Sequence, residues 1–433
     1  MGQTLSIPFK LFRTTTTFWR GMYHYLCGAG RRSQYNPSSS FLKINEKDSA
    51  EEAIFKQHAR VHLYGLASAF YLYNKPHYRK GSYRDDLLDN LRNLAIPGTG
   101  IPLSWFVGSK LTALGLVLGV NPFVCFMASL HNWWQTGGSI SEEYATRLLA
   151  PNDWFSYWRL NCNIVGLHSY LDKDRAQADY DMENKWTFIQ EAEKRNVPVS
   201  PYLKMPALVL KHRNEEGGMG IFFYKNALDG GDWIIQEKIS NSDWVSSVLP
   251  PNAPLSTFRV LTQSRSGLSD KEPEPSDVTA LSCVFRAGRE NAATDHDSIL
   301  FDVNHSTGEL NGGTTNMHWY KLGIFQWLRC PWRSEHSFTH HPDGNIPITG
   351  QKVQPDISKL MKLSEEAHHK MCPLVPFAGW DVVLCKEEPT ICFLEVNLSC
   401  NFFRGSFDQK VYFEYLEDAI SSLQAKRLLQ DQK

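Results

Sequence analysis

The chain has no CxxC pair, no excess of either charge, no internal repeat and no long block of like charges. Its nine cysteines are odd in number and scattered, which argues against a disulfide framework or a zinc knuckle and for reduced thiols in a cytoplasmic or nuclear setting. Forty-five Lys and Arg stand against 46 Asp and Glu, so the overall balance implies no nucleic-acid partner. The N-terminus lacks the uninterrupted apolar core and cleavage site of a signal peptide. The first 45 residues also lack any Asp or Glu, while six Lys/Arg fall there: Lys10, Arg13, Arg20, Arg31, Arg32 and Lys43.

That acid-free stretch opens "MGQTLS", with Gly2 and Ser6 at the positions that N-myristoylation requires. Phe9, Leu11, Phe12, Phe18, Trp19, Tyr23 and Tyr25 are interleaved with the cations, and Cys27 offers a second acylation point. One acyl chain binds a bilayer only marginally, so a basic, aromatic segment behind it supplies the second signal. The expectation is a cytoplasmic protein held peripherally at a membrane surface by residues 1–45. "RRSQYNPSSS" then reads as a linker.

At 433 residues, with 13 tryptophans, the chain is long enough for two or three domains with sizeable cores. Residues 46–170 form a mainly helical region, in which Ser49 caps a helix with Glu52 three residues on. Leu111–Leu130 carries no charge over about the length of a bilayer span, although Asn121 and Pro122 interrupt it. A spanning helix, an interfacial hairpin and a pair of short core helices all fit that run.

Beyond about Asp172 the texture becomes short β-rich runs between Gly, Pro and Asn turns. "VPVSPYL", "ALVLKHR", "GIFFYK", "DWIIQEKI", "STFRVLTQ", "DVTALSCVFRAG", "SILFDVN", "WDVVLCKE" and "TICFLEVN" read as strands. "ENKWTFIQEAEKRN", "DISKLMKLSEEAHHKM" and "KVYFEYLEDAISSLQAKRLLQ" read as helices, the first with Trp186, Ile189 and Ala192 on one side. Without strict βαβ alternation the fold class is α+β, with residues 171–425 as one unit.

Chemistry concentrates in two places. In "FLEVN", Glu395 and Asn397 are two residues apart, hence on one face of a strand. "GWDVVL" precedes it across the turn "CKEEPT", so an antiparallel hairpin brings Asp381 level with the pair. Three hard oxygen donors suit magnesium, which keeps substrate phosphates among its remaining ligands. In "VLKHRNEEGGMGI", Lys211 ends a strand running into a turn with Gly217, Gly218 and Gly220, whose amides could close over phosphate oxygens. "IIQEKI" follows, where Glu237, Lys238 and Ile239 could offer backbone hydrogen bonds to adenine and a carboxylate to ribose.

Taken in order, "ENKWTFIQEAEKRNVPVSPYL", "LVLKHRNEEGGMGI", "IIQEKI", "GWDVVL" and "FLEVN" resemble the ATP-grasp superfamily of carboxylate-amine ligases. "PLSTFRVLT", "CVFRAG", "GELNGG" and "HHPDGN" resemble its sugar-transfer-associated, α-L-glutamate-ligase-related branch. The likeness covers about Tyr170 to Leu416 and implies ATP and Mg2+ as cofactors. It implies phosphate contacts for Lys185 and Lys211, an adenine hinge at Glu237 and Ile239, and metal ligation by Asp381, Glu395 and Asn397. Arg259 in "TFRV" and Arg286 in "FRAG" would lie near the phosphates or an acyl phosphate, where planar guanidinium forks suit such oxyanions. The chain departs from the branch pattern at "TDHDS", where Asp295 precedes His296, and at "LSCNFFRG" after the metal strand.

The resemblance implies a ligase that activates a small-molecule carboxylate and passes it to an amine or similar acceptor. A small-molecule kinase and a non-catalytic, membrane-anchored scaffold use the same nucleotide site. His340 and His341 before a turn, and His368 with His369 on a helix, read as surface or turn histidines rather than metal ligands. Arg404 is placed to meet a substrate carboxylate or merely solvent.

Overall fold

The computed structural model describes residues 6–28, 35, 41–79, 81–92, 94–96, 101–215, 219–315, 338–354, 356–399 and 405–430. The expectations for Gly2, Gly217, Gly218 and Arg404 lie outside the described residues.

The N-terminal region is helical: α1 Ile7–Gly28, α2 Ala50–Leu72, α3 Tyr83–Asn90, α4 Ser104–Val107, α5 Lys110–Gly115, α6 Asn121–Thr136, α7 Ile140–Leu149, α8 Trp154–Leu171 and α9 Lys173–Tyr180. Ser49 caps α2 by accepting from the Glu52 amide at 3.1 Å, with Glu51 and Glu52 in the positive first turn. Within the basic N-terminal stretch, Ile7–Gly28 forms a helix, α1, whose Phe18, Met22 and Tyr25 are buried against the rest.

The apolar run does not divide at Asn121 and Pro122. A π-type turn at Leu116–Val120 joins α5 to α6, making one helical path from Lys110 to Thr136. Pro122 has no N–H to give the carbonyl four residues back. That carbonyl, on Leu118, instead accepts the Trp19 indole N–H at 2.9 Å. The path is long and apolar enough to cross a membrane, and only 17% of its most apolar window is buried, so it is not a core helix.

The C-terminal part is built on a six-stranded, wholly antiparallel sheet in the order β10-β9-β3-β4-β5-β6. Its strands are β3 Thr257–Ser264, β4 Val278–Ala287, β5 Ile299–Val303, β6 Leu310–Thr314, β9 Phe377–Leu384 and β10 Ile391–Asn397. A separate hairpin pairs β1 Ala207–Lys211 with β2 Ile221–Lys225, and β7 His340–His341 pairs β8 Ile346–Pro347. The helices of this part are α10 Lys185–Lys194, α11 Asp243–Ser247, α12 Ile357–Met371 and α13 Gln409–Gln430. On α10 it is Phe188, with Ile189 and Ala192, that is buried; Trp186 is half-buried at the edge and packs on Tyr202.

Two expected strands are absent as ladders. "VPVSPYL" and "DWIIQEKI" meet at one isolated bridge, Tyr202 to Gln236, with the Leu203 N–H donating to the Ile235 carbonyl at 2.7 Å and the Glu237 N–H to the Pro201 carbonyl at 3.1 Å; Pro198 and Pro201 have no N–H with which to extend the ladder.

Strand alternation gives the large sheet two distinct faces. One carries Phe258, Val260, Trp380 and Phe285 and packs against α10 and α12: the Trp380 ring lies 6.4 Å from that of Phe188 and 6.2 Å from that of His368. His368 is therefore a core residue rather than a surface one, bridging the Thr262 hydroxyl at 2.7 Å and the Val375 carbonyl at 3.0 Å. His341 is likewise buried, 3.1 Å from the Gly288 carbonyl. The other face carries Phe377 at one end, covered by Tyr412 and Tyr415 of α13, and Asp381 further along the same strand.

One buried apolar cluster runs from Phe18 through the sheet to Leu423. Polar ties cross the same boundary: Arg60 to Glu417 at 2.6 Å, Tyr412 to Asn161 at 2.7 Å and Lys426 to Asp172 at 2.7 Å. The helical region and α13 thus form one layer against the sheet.

Candidate functional site

The expected hairpin register holds. Asp381 on β9 pairs directly with Glu395 on β10, and Asn397 pairs with Gly379. A one-residue irregularity between Phe393 and Glu395 keeps the pair in step. Glu395 and Asn397 share a face, the Asn397 amide donating to Glu395 Oε1 at 3.4 Å.

The sheet order adds what a hairpin alone cannot. β3 flanks β9 on its other side, so Arg259 stands directly opposite Asp381. Arg259 Nε donates to Asp381 Oδ1 at 2.5 Å and Nη2 to Oδ2 at 3.0 Å, a two-pronged pair with both side chains nearly buried. Arg286, two residues along β4 from the partner of Arg259, reaches Asp381 Oδ2 at 3.5 Å and Asp295 Oδ1 at 3.2 Å. Asp295 also accepts from the Thr257 hydroxyl at 2.5 Å, and burial raises its carboxyl above the usual range.

Lys185 arrives from a different element. Asn184 caps α10 by accepting from the Trp186 and Thr187 amides at 3.0 and 3.1 Å. Glu183, just before the cap, is gripped by Arg79 and accepts from the Leu398 amide at 3.2 Å, tying the start of α10 to the end of β10. Lys185 Nζ then lies 2.8 Å from Glu395 Oε2. The lysine is two-thirds exposed, so this contact is an open one, unlike the Arg259 pair.

The polar row continues across the sheet. Asp302 on β5 accepts from Asn311 at 2.8 Å and from the Ser406 backbone at 2.5 Å. Sequence reasoning missed Asp302 and Glu183, and flagged Asp295 only as a departure. Their role depends on which strands and turns become neighbours, which no local pattern shows. Three acids, Asp295, Asp381 and Glu395, thus face three cations, Lys185, Arg259 and Arg286.

The other expected residues come from other elements. Lys211 ends β1 opposite Ile221, and no ion pair or hydrogen bond among the described residues joins it to Asp381, Glu395 or Asn397. Gly220 has φ +66°, a conformation side chains resist, and a Cβ there would meet the His212 Cβ at 2.7 Å. The β1–β2 hairpin leaves Leu210, Phe222 and Phe223 exposed. Glu237 is exposed, its backbone N–H donating to the Pro201 carbonyl at 3.1 Å. Ile239 is buried with Val383, Cys385 and Cys392; Val383 is two residues from Asp381 on β9, so Ile239 packs on the same face of the sheet as the acids.

Two carboxylates and a carboxamide are donors of the hard-oxygen type that fits magnesium. The fit depends on Arg259, which engages both Asp381 oxygens. Among the described residues no group of three or more His, Cys, Asp or Glu side chains is gathered as a metal site.

No family model matches the chain, and no curated protein matches it. Among solved structures it is similar to N5-carboxyaminoimidazole ribonucleotide synthetase from Thermotoga maritima, at 10% sequence identity and a TM-score of 0.26. The likeness covers 60% of this chain and just over half, 56%, of that one.

Proposed function

We propose that the chain is an ATP- and magnesium-dependent ligase of the ATP-grasp type, joining a small-molecule carboxylate to an amine or related acceptor at a membrane surface. The observation that carries this reading is the row Glu395, Asp381, Arg259 on three adjacent strands, with Arg286 and Lys185 converging on its acids. The order of motifs from Lys185 to Asn397 supports it.

Asp381, Glu395 and Asn397 would hold magnesium, which supplies charge neutralisation for nucleotide phosphates when bound. Phosphoryl transfer asks the protein for position and positive charge rather than a covalent nucleophile. Lys185 is free to turn from Glu395 toward a phosphate because most of its side chain is in water. Arg259 and Arg286 offer planar forks to developing oxyanions, and each leaves Asp381 when it does so. In the ligation proposed, the carboxylate is activated as an acyl phosphate and the acceptor displaces phosphate. Lys211, Gly217, Gly218 and Gly220 would cover the nucleotide as a lid, with Glu237 and Ile239 at its hinge. Gly2 acylation is the proposed anchor, and a Gly2→Ala variant that stays in the membrane fraction would remove it.

ADP release by the full-length protein with magnesium, screened against acids and amines together and singly, tests the reading. Release that needs both supports ligation, release with one acceptor points to a kinase, and Glu395→Gln should abolish either. One observation favours a non-catalytic reading: Asp381 is fully engaged by Arg259 and Arg286. Absence of ATP binding and of ADP release across the panel would establish that reading instead.

A further inference from the structure

We propose that α1 and the Lys110–Thr136 helix together form a monotopic membrane-binding face, lying in the plane of one leaflet of an anionic bilayer. The proposal rests neither on the nucleotide site nor on acylation of Gly2.

On α1, Phe12, Trp19 and Tyr23 are spaced i, i+7 and i+11, which puts them within an arc of about 40°. They are 66%, 47% and 72% exposed, while Phe18, Met22 and Tyr25 on the neighbouring flank are buried. On the longer helix Leu111, Phe123 and Trp134 are 77%, 63% and 82% exposed. The Trp19 to Leu118 hydrogen bond ties α1 to the longer helix, and α7 packs against both α1 and α6, so the two sets of exposed side chains are fixed in one unit. Isolated exposed apolar residues need no explanation, but three exposed aromatic side chains within one narrow arc of α1, beside a charge-poor apolar helix that exposes three more, do.

Charge selects the occupant. α1 carries Lys10, Arg13 and Arg20 and no acid; the Lys110–Thr136 helix carries Lys110 and no acid. A second copy of this chain docked face to face would set cations against cations, whereas anionic headgroups complement them. Tryptophan and tyrosine at the edges of the surface suit the headgroup boundary, where an apolar ring and a polar N–H or O–H are both satisfied.

Packing selects the orientation. The opposite flank of the long helix, with Ala113, Cys125, Ala128 and Ser129, is buried against the protein. Cys125 Sγ lies 3.6 Å from the Arg147 carbonyl of α7. α7 carries Glu142, Glu143 and Arg147 beside α6, and a spanning arrangement would drag these charges into hydrocarbon. Lying in the plane leaves them on the aqueous side.

The full-length, non-acylated protein is mixed with vesicles of phosphatidylcholine with or without phosphatidylserine. We expect sedimentation with the phosphatidylserine vesicles that weakens as salt rises, and quenching of tryptophan fluorescence by lipids brominated on the chain. The triple variant Phe12→Ser, Phe123→Ser, Trp134→Ser alters exposed positions and should keep its circular dichroism spectrum while its partitioning falls by about tenfold or more. Cysteines placed at Lys110 and Thr136 should both react with an impermeant maleimide outside sealed vesicles. Equal binding by wild type and variant, or none by wild type, overturns the proposal. So does protection of one cysteine, which means spanning. A wild-type dimer that the variant dissolves, without vesicle binding, identifies the face as a self-interface and also overturns it.

Discussion

Arg259 and Asp381, 122 residues apart in sequence, face each other on adjacent strands and close a two-pronged ion pair at 2.5 and 3.0 Å. The pair is nearly shielded from water, so it couples the stability of the sheet to the readiness of the site.

Removing one partner leaves the other charge buried. Arg259→Met should destabilise the protein by about 3–5 kcal/mol, toward the lower end because Arg286 still approaches Asp381. The double variant Arg259→Met, Asp381→Leu should recover much of that loss. Urea unfolding of both singles and the double measures the coupling, and strictly additive losses would mean the pair does not act as one.

Lys185 and Glu395 behave differently, because the lysine is largely exposed. Lys185→Met should change stability by less than about 1 kcal/mol. ADP release should nevertheless fall by about tenfold or more, since the lysine's proposed partner is a phosphate. Turnover equal to wild type would remove Lys185 from the site.

Gly220→Ala places a Cβ at a positive φ and within 2.7 Å of the His212 Cβ. The strain, about 1–2 kcal/mol, falls on the β1–β2 hairpin and not on the large sheet. KM for ATP should rise with little change in the global unfolding midpoint. A large drop in that midpoint with an unchanged KM would separate the hairpin from nucleotide binding.

His368 makes stability depend on pH. Burial pushes its imidazole down from 6.5 to about 4. The folded state therefore holds the neutral ring, and its contribution is complete above the unfolded value near 6.5 and is lost as pH falls toward 4. The loss is on the order of 3 kcal/mol. Burial shifts His58 to about 3, and His62 and His168 downward as well, so all four act with the same sign. His368→Gln should be less stable than wild type at neutral pH and should lose less on acidification. Parallel stability curves for the two proteins between pH 7 and 4 would contradict this.

The sequence made some elements plain and concealed others for physical reasons. β3, β4, β9 and β10 are legible because each is a run of branched and aromatic residues bounded by turns, and alternation puts Glu395 and Asn397 on one face; the irregularity between Phe393 and Glu395 that sets Glu395 opposite Asp381 is not legible. β6, Leu310–Thr314, was not legible: its two glycines look like a turn. It pairs because Gly313 leaves room for the Phe301 ring, which a Cβ would meet at 2.6 Å. In "VPVSPYL" the alternation of apolar residues is that of a strand, and the two prolines remove the N–H groups a ladder would need. The arginine pairing of Asp381 was hidden altogether, because it depends on β9 lying against a strand formed more than a hundred residues earlier. The helical path through Pro122 needed a donor from α1, Trp19, to satisfy the carbonyl that proline leaves open.

In the proposed function Asp381 and Glu395, once released by Arg259 and Lys185, would bind a nucleotide through magnesium. Calorimetric titration of the full-length protein with ATP, with magnesium and with chelator, tests it most directly, alongside Asp381→Asn and Glu395→Gln checked for folding. Binding should require magnesium and weaken by about a hundredfold, or on the order of 3 kcal/mol, in either variant. Binding of equal strength in chelator, or in both variants, would contradict it.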